Sequence, residues 1–383
     1  MTICKKSFSA TVAVAFALAI SDLPVQAIEL GVFGDTSMVV NNDSKDNNHF
    51  GIGGLDLYAN QQISDKVSAF FEIVFENDGD AFVVDVERYQ INYQFSPAFR
   101  LGAGRFHAPL GYWNRHFHHG VLIQDTPDRP AFLDFEDGEA AILPMHAIGM
   151  MAMGKFNDGF EYALSLSNTN SYDTGGSNTG ITSNRAGFGS DEIRLGNVSD
   201  GTDAKSIVGR LSYSFASVPL ELGVFGMNNK LTEDSLMGSA GVKQGKDLVT
   251  TRVYGADLHY ERNAFDALAE YYYLDNHDET NGVAGDDGTG TAYYVQLGYR
   301  LNDYWKLVYR FEKLAVDHNT AYFNILGSQE YNANVAAIRF DVDDSNAITL
   351  EVNSKRFHAS NDGTTDNGSG TTEYVLNWAF LMF

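Results

Sequence analysis

Cysteine is almost absent: Cys4 is the only one in 383 residues, which excludes an intrachain disulfide framework. Proline is sparse as well, seven in all, and no Pro- or Ser-rich stretch marks a linker between domains. Long apolar runs are missing. The best of them covers residues 8–20, short of the roughly 20 apolar residues that a membrane-spanning helix requires, and nothing later approaches it. Basic residues are few, 26 Lys and Arg against 50 Asp and Glu. That balance excludes a nucleic-acid partner, because phosphate contacts demand Lys and Arg. Beyond residue 27 no stretch carries the 3.6-residue period of an amphipathic helix.

What is present begins with Lys5 and Lys6, the apolar run, Pro24 and Val25-Gln26-Ala27, the three regions of a secretory signal peptide. Residues 1–27 are therefore expected to be removed on export, taking Cys4 with them. The mature chain, residues 28–383, would carry 24 basic and 49 acidic residues. Tyr, Phe and Gly are spread evenly along it, which favours one continuous domain.

Its dominant signal is a period of two. Trp305, Leu307, Tyr309 and Phe311 alternate with Lys306, Val308, Arg310 and Glu312, and such alternation puts one set on each face of a strand. The pattern recurs at Val67–Glu76, at 88–93, 160–166, 210–215 and 348–353. Seven tight connections are built of turn formers, at Ser64-Asp65, Ser96-Pro97, Asn157-Asp158-Gly159, Ser217-Val218-Pro219, Arg262-Asn263, Asn302-Asp303 and Asp343-Asp344-Ser345-Asn346. They alternate strictly with eight other connections, near 41–48, 77–81, 107–145, 169–203, 230–248, 275–290, 314–330 and 358–370, most of them long. Seven short turns and eight loops divide the chain into sixteen strands with both ends on the short-turn side. That predicts an all-β fold, a 16-stranded antiparallel transmembrane β-barrel of the outer-membrane type, with lipid as its outer partner. Phe95 and Phe99, Phe156 and Phe160, Tyr260 and Phe265, and Tyr299 with Tyr304 and Trp305 flank the tight turns, as an aromatic girdle would. A soluble β-sandwich is the competing architecture, but it has no need of the leader, the loop asymmetry and the girdle together.

The chain ends in a strand finishing with Phe383, and here it resembles the bacterial porins. The odd set Val375, Asn377, Ala379, Leu381 and Phe383 is expected to face lipid, with Asn377 out of place among them. Gly102, Gly104, Phe106, Pro109 and Gly111 resemble the strand-to-loop passage of the phosphate-selective porin O/P group. The resemblance implies that the third external loop, 107–145, folds into the barrel as a constriction, and that the protein is a homotrimer. The group's anion selectivity rests on basic residues in the constriction, and 107–145 contains no lysine, so phosphate specificity does not carry over.

On its own residues, too, 107–145 is more than slack. With its flanks, residues 105–146, it concentrates Trp113, Arg115, Arg129, four prolines and five of the ten histidines, with enough Phe, Ile and Leu to pack. Arg115 and Arg129 are expected beside or opposite its carboxylates, Asp125, Asp128, Asp134, Glu136, Asp137 and Glu139, giving a transverse field across the bore. Strand parity assigns Arg88, Arg100, Arg210, Arg300, Lys306, Arg310 and Arg339 to the lumen wall, with Glu72, Glu270 and Glu351 among the acids facing them. The eight loops together carry most of the mature chain's negative excess, which predicts a mild cation preference at low salt. His116, His118 and His119 suggest a metal site, but in an extended segment only the first two share a face, and packing inside the channel is the better reading. The acids of the outer loops match no calcium-loop spacing. No nucleophile elbow, zinc motif or phosphate loop is present, so no enzyme and no cofactor is expected. The function that follows is passive diffusion of small hydrophilic solutes or ions. The alternative is a structural sheath or a barrel that displays its loops to a partner.

Overall fold

A computed structural model of the chain describes residues 28–42, 48–78, 81–117, 120–135, 141–157, 159–173, 202–234, 246–328, 330–358 and 370–382. The strands are β1 (Glu29–Asn41), β2 (His49–Gln62), β3 (Val67–Asp78), β4 (Ala81–Ser96), β5 (Phe99–His107), β6 (His146–Phe156), β7 (Phe160–Asn168), β8 (Asn170–Asp173), β9 (Lys205–Ser214), β10 (Leu220–Asp234), β11 (Asp247–Arg262), β12 (Phe265–Asp278), β13 (Gly288–Arg300), β14 (Trp305–Val316), β15 (Tyr331–Asp343), β16 (Asn346–Phe357) and β17 (Gly370–Met382). Neighbours in sequence pair antiparallel, and β1 pairs with β17 from Val32↔Met382 to Asn41↔Glu373, so the sheet closes on itself. The short β8 continues β7 beyond the start of β9 and pairs parallel with β10. The seventeen segments thus make a 16-stranded antiparallel barrel, the architecture that the alternation of turns and loops implies.

Side-chain burial follows the period of two. In β14 Trp305, Leu307 and Tyr309 are exposed outside, while Lys306, Val308, Arg310, Glu312 and Leu314 are buried inside. The outer surface is apolar: Leu164, Leu166, Ile207, Val224, Tyr254, Leu350 and Leu376 all project from it. At the short-turn end the aromatics touch in runs, Tyr93–Phe95–Phe99, Phe156–Phe160–Tyr213–Phe215, Tyr260–Phe265 and Trp305–Phe340, with ring centroids 4.5 to 6.2 Å apart.

In two strands, β17 and β4, the inward face is not the one that simple parity gives along the whole strand. In β17 the inward set is Val375, Asn377 and Ala379, all buried, and Tyr374, Leu376, Trp378 and Met382 face outward. This reverses the face expected from the sequence. Its reason is polar: Asn377 Nδ2 donates to Asp35 Oδ2 of β1 at 2.7 Å, a bond available only inside. In β4 a bulge sets Glu72 opposite Arg88 and Ile73 opposite Val86, leaving Glu87 as an extra residue. Outward Phe82, Val84 and Val86 thereby change parity to outward Tyr89, Ile91 and Tyr93.

The core lies inside the barrel and to one side of it. Inward Phe225, Met227, Val253, Tyr272, Leu274 and Tyr294 of β10–β13 pack against residues of the 107–145 connection, loop three, and against a helix in the 314–330 connection, loop seven. That helix, α2 (Ala321–Leu326), follows α1 (Trp113–His116) of loop three, and five of its six residues are buried. No helical period announces either of them, because four and six residues are too few to show one.

Candidate functional site

Loop three is closed at its neck. Ala108 N–H donates to Met145 O at 2.8 Å, and Asn114 Nδ2 donates to Ala108 O and Met145 O, each at 2.9 Å. At its roots His107 and His146 face one another across β5 and β6, ring centroids 5.2 Å apart, and His146 Nε2 lies 2.8 Å from Glu87 Oε2 of the β4 bulge.

From that neck the loop crosses the lumen and is fastened to strand after strand. Glu270 Oε1, on β12, accepts the N–H groups of Tyr112 at 2.8 Å and Trp113 at 2.5 Å, and Tyr272 hydroxyl donates to its Oε2. Gly111 stands at φ +67°, and a Cβ there would strike Glu270 Oε2 and the Tyr272 hydroxyl, so only glycine fits both the turn and the space. Tyr112 stacks between His116, at 3.9 Å, and His259 of β11, at 4.5 Å. Burial holds the His116 imidazole below the ordinary histidine pKa, and its Nδ1 lies 2.9 Å from Tyr112 O. Trp113 meets Tyr294 edge-on at 5.7 Å.

Farther along, Asp125 accepts from Lys306 Nζ at 2.7 Å and from Gln296 Nε2 at 3.2 Å, and Arg310 donates to Thr126 Oγ1 at 2.5 Å. Arg339 donates to Gln124 O at 2.5 Å. Asn353 Nδ2 reaches Asp128 Oδ2 at 3.0 Å, and Glu351 Oε2 lies 3.5 Å from Asp128 N. Glu312 Oε2 accepts from Ala131 N–H at 2.9 Å, and Tyr331 hydroxyl from Phe132 N–H at 3.0 Å. On β15 the inward residues opposite these anchors are Ala333, Val335 and Ala337, small enough to leave the loop its path. Loop seven closes the packing from the far side, where Tyr322 hydroxyl donates to Ile142 O at 2.7 Å.

Of the wall residues expected from parity, Glu270, Lys306, Arg310, Arg339 and Glu351 lie against the loop, and most of the wall's charges are matched. Arg210 bridges Asp257 at 2.5 Å and Glu221 at 2.9 Å; Lys306 holds Asp125 and also Asp266, at 2.8 Å. Arg88 pairs with Glu72 at 2.5 Å, Arg310 with Glu312 at 2.7 Å, and Arg300 and Arg339 share Asp341 at 3.1 and 2.6 Å. Inward glycines make some of these pairs possible: a Cβ on Gly223 would strike Asp257 and Arg210, and one on Gly298 would strike Asp266 and Lys306. Arg100 lies against Met153 Sδ at 2.5 Å. Of the two loop arginines, Arg115 pairs with the wall carboxylate of Glu161 at 2.8 Å, and Arg129 lies over the Phe135 ring at 3.5 Å. Asp134 sits beside Arg129 on the same open side. Glu136, Asp137 and Glu139, and likewise His118 and His119, lie outside the described residues.

Sequence reasoning did not find Asp35, the clamp tyrosines Tyr272, Tyr294, Tyr322 and Tyr331, the Glu87–His146 pair or the folding-in of loop seven. A signal existed for one of them, since the adjacent charges Glu87-Arg88 interrupt the alternation of β4.

Between the outer half of loop three and strands β1–β3 and β16 the lumen stays open as a cavity of about 540 Å³. Phe33, Asp35, Asp56 and Glu76 line one side of it, Asp128, Arg129, Asp134 and Phe135 the other, with Lys355 alongside. A second cavity of about 210 Å³ lies on the β11–β14 side, bounded by Trp113, His259, Glu261, Asp266 and Arg300, and Gln124 borders both.

No protein-family model matches the chain, and no curated protein matches it. Solved structures do. The anion-selective porin from Comamonas acidovorans superposes with a TM-score of 0.62 at 11% identity, over 93% of this chain and 99% of that one. The outer-membrane channel DcaP of Acinetobacter baumannii gives 0.58 at 12%, over 92% and 97%. The outer-membrane protein OmpT of Vibrio cholerae, in its trimer form, gives 0.58 at 11%, over 93% and 99%. At these identities the likeness is one of fold: the chain has the barrel architecture of outer-membrane porins.

Proposed function

We propose that the protein is an outer-membrane diffusion channel for small hydrophilic solutes or ions, exported with loss of residues 1–27. The observation that carries this reading is the open cavity of about 540 Å³, lined by charged and polar groups, that loops three and seven leave on the β1–β3 side. A 16-stranded barrel is too wide to fill with wall side chains, and here only one side is filled. The apolar outer surface and the aromatic runs at its short-turn end match a lipid-embedded wall and its interface. Loop three, held at Glu270, Lys306, Glu312 and Asn353, is the constriction. Asp125 and Asp128 are bound to the wall, and Arg129 and Asp134 border the open side. A homotrimer is part of the proposal, by likeness to a neighbour solved in a trimer form.

The packed side favours a second reading. Trp113, Phe132, Tyr272, Tyr294, Tyr322 and Phe323 form a dry plug, which suits a sheath or a barrel that displays its loops. Planar-bilayer recording of the purified, folded protein separates the two. Discrete conductance steps that scale with salt are expected of the channel; repeated silence from folded protein would leave the sheath.

A further inference from the structure

The cavity beside loop three is not neutral ground. Five carboxylates border it, Asp35, Asp56, Glu76, Asp128 and Asp134, against two cations, Arg129 and Lys355. The nearby wall arginines cannot redress the balance, since Arg88, Arg310 and Arg339 are each held by a carboxylate of their own. The acids stand on two sides, three on the wall and two on the loop. The wall ones are placed with care. Asn377 holds the Asp35 carboxylate, which lies over the backbone of β2 where a Cβ on Gly53 would strike it. Asp56 is only 4% exposed.

Two further features point to a nitrogen cation as the occupant. Gln124, 4% exposed and at the cavity edge, spends its Nε2 on Phe117 O at 2.6 Å, while its Oε1 accepts from no group among the described residues. An N–H donor would satisfy it. Arg129, moreover, already lies in the cavity with its guanidinium 3.5 Å from the Phe135 ring centre, the stacking an incoming organic cation would make.

We infer that this cavity is a binding subsite for small organic cations bearing ammonium or guanidinium groups, with Arg129 as a tethered occupant of part of it. The inference deepens the channel reading and names the solute class that the bore retains. A diamine can reach both acidic sides at once, through charge-assisted hydrogen bonds.

Calorimetry on the full-length folded barrel in detergent tests binding without requiring conduction, with putrescine as probe and the neutral diol of the same chain length as control. Putrescine is expected to bind roughly tenfold or more tightly than the diol, the scale of one charge-assisted contact. Asp56→Asn with Glu76→Gln should abolish the difference, and Arg129→Ala should tighten putrescine by vacating its place. If the double variant fails to fold, Asp134→Asn on the loop serves in its stead and should weaken putrescine alone. Equal binding of amine and diol, or an Arg129→Ala protein that binds putrescine less well, overturns the subsite. Bilayer silence accompanied by selective putrescine binding would overturn the channel reading and leave the subsite standing. Conduction without selective binding does the reverse.

Discussion

Glu270, on the wall, anchors the first turn of loop three. Its buried carboxylate gathers two consecutive backbone N–H groups and the Tyr272 hydroxyl, and so fixes where the loop turns into α1. Hydrogen bonds to a charged group contribute about 1.5–3 kcal/mol each, and orphaned buried donors add their own penalty. Glu270→Ala is expected to lower barrel stability by on the order of 3 kcal/mol and to raise open-channel current noise as the loop loosens. Glu270→Gln, which keeps an acceptor, should do less of both. Denaturant melts together with single-channel traces give the answer, and a quiet, fully stable Glu270→Ala channel would show that the clamp is incidental. Parity in the sequence places this glutamate on the inner wall, yet nothing in the sequence pairs position 270 with 112 and 113. That pairing depends on how far a loop reaches across a lumen.

Loop three is best understood with its partners. Phe132, Leu133, Ile142 and Leu143 are fully buried, and they share a core with Phe225, Tyr272 and Tyr294 of the wall and with Tyr322 and Phe323 of α2. Removing residues 115–139 should therefore have two effects. Conductance rises clearly, because the obstruction leaves, and stability falls by on the order of 3 kcal/mol or more as large aromatics lose their cover. An unchanged single-channel current in a folded deletion protein would contradict the constriction, and an unchanged melt would contradict the shared core. The concentration of Trp, Phe, Pro and His in 107–145 identifies this connection in the sequence as one that packs. Loop seven carries a subtler sign, Ala321-Tyr322-Phe323-Asn324-Ile325-Leu326, an apolar cluster too short for a period and easily read as surface.

For the molecule as a whole the open question is the sign of its ion selectivity. An arginine-lined wall would pass anions, but the arginines are held by Glu72, Asp257, Glu312 and Asp341, and those beneath loop three are deeply buried. The remaining cavity is acidic, and the outer loops carry an acidic excess in sequence. Reversal potentials under a potassium chloride gradient are expected to show cation preference at low ionic strength, weakening toward molar salt as the Debye length shrinks to about 3 Å. Anion preference at low salt would mean that basic groups such as Arg100, Arg129 and Lys355 dominate the path.

The sequence by itself determined the barrel. A period of two, turns alternating with loops and aromatics beside the turns are all local patterns, and each strand writes its own because its two faces meet different surroundings. The same parity assigns Lys306, Arg310, Glu312 and Glu270 to the buried inner face where they lie, but it missed Asp35 and Glu87, and in β17 a single Asn among apolar residues could not show that Asp35 was waiting across the seam. What the tertiary structure alone decided is the shape and charge of the bore. Asp125 against Lys306 spans 181 residues of chain, and Tyr322 against Ile142 spans 180. Contacts at such separations leave no period behind. They decide which charges cancel, which side of the lumen is filled, and that the space left open is lined by Asp35, Asp56 and Glu76.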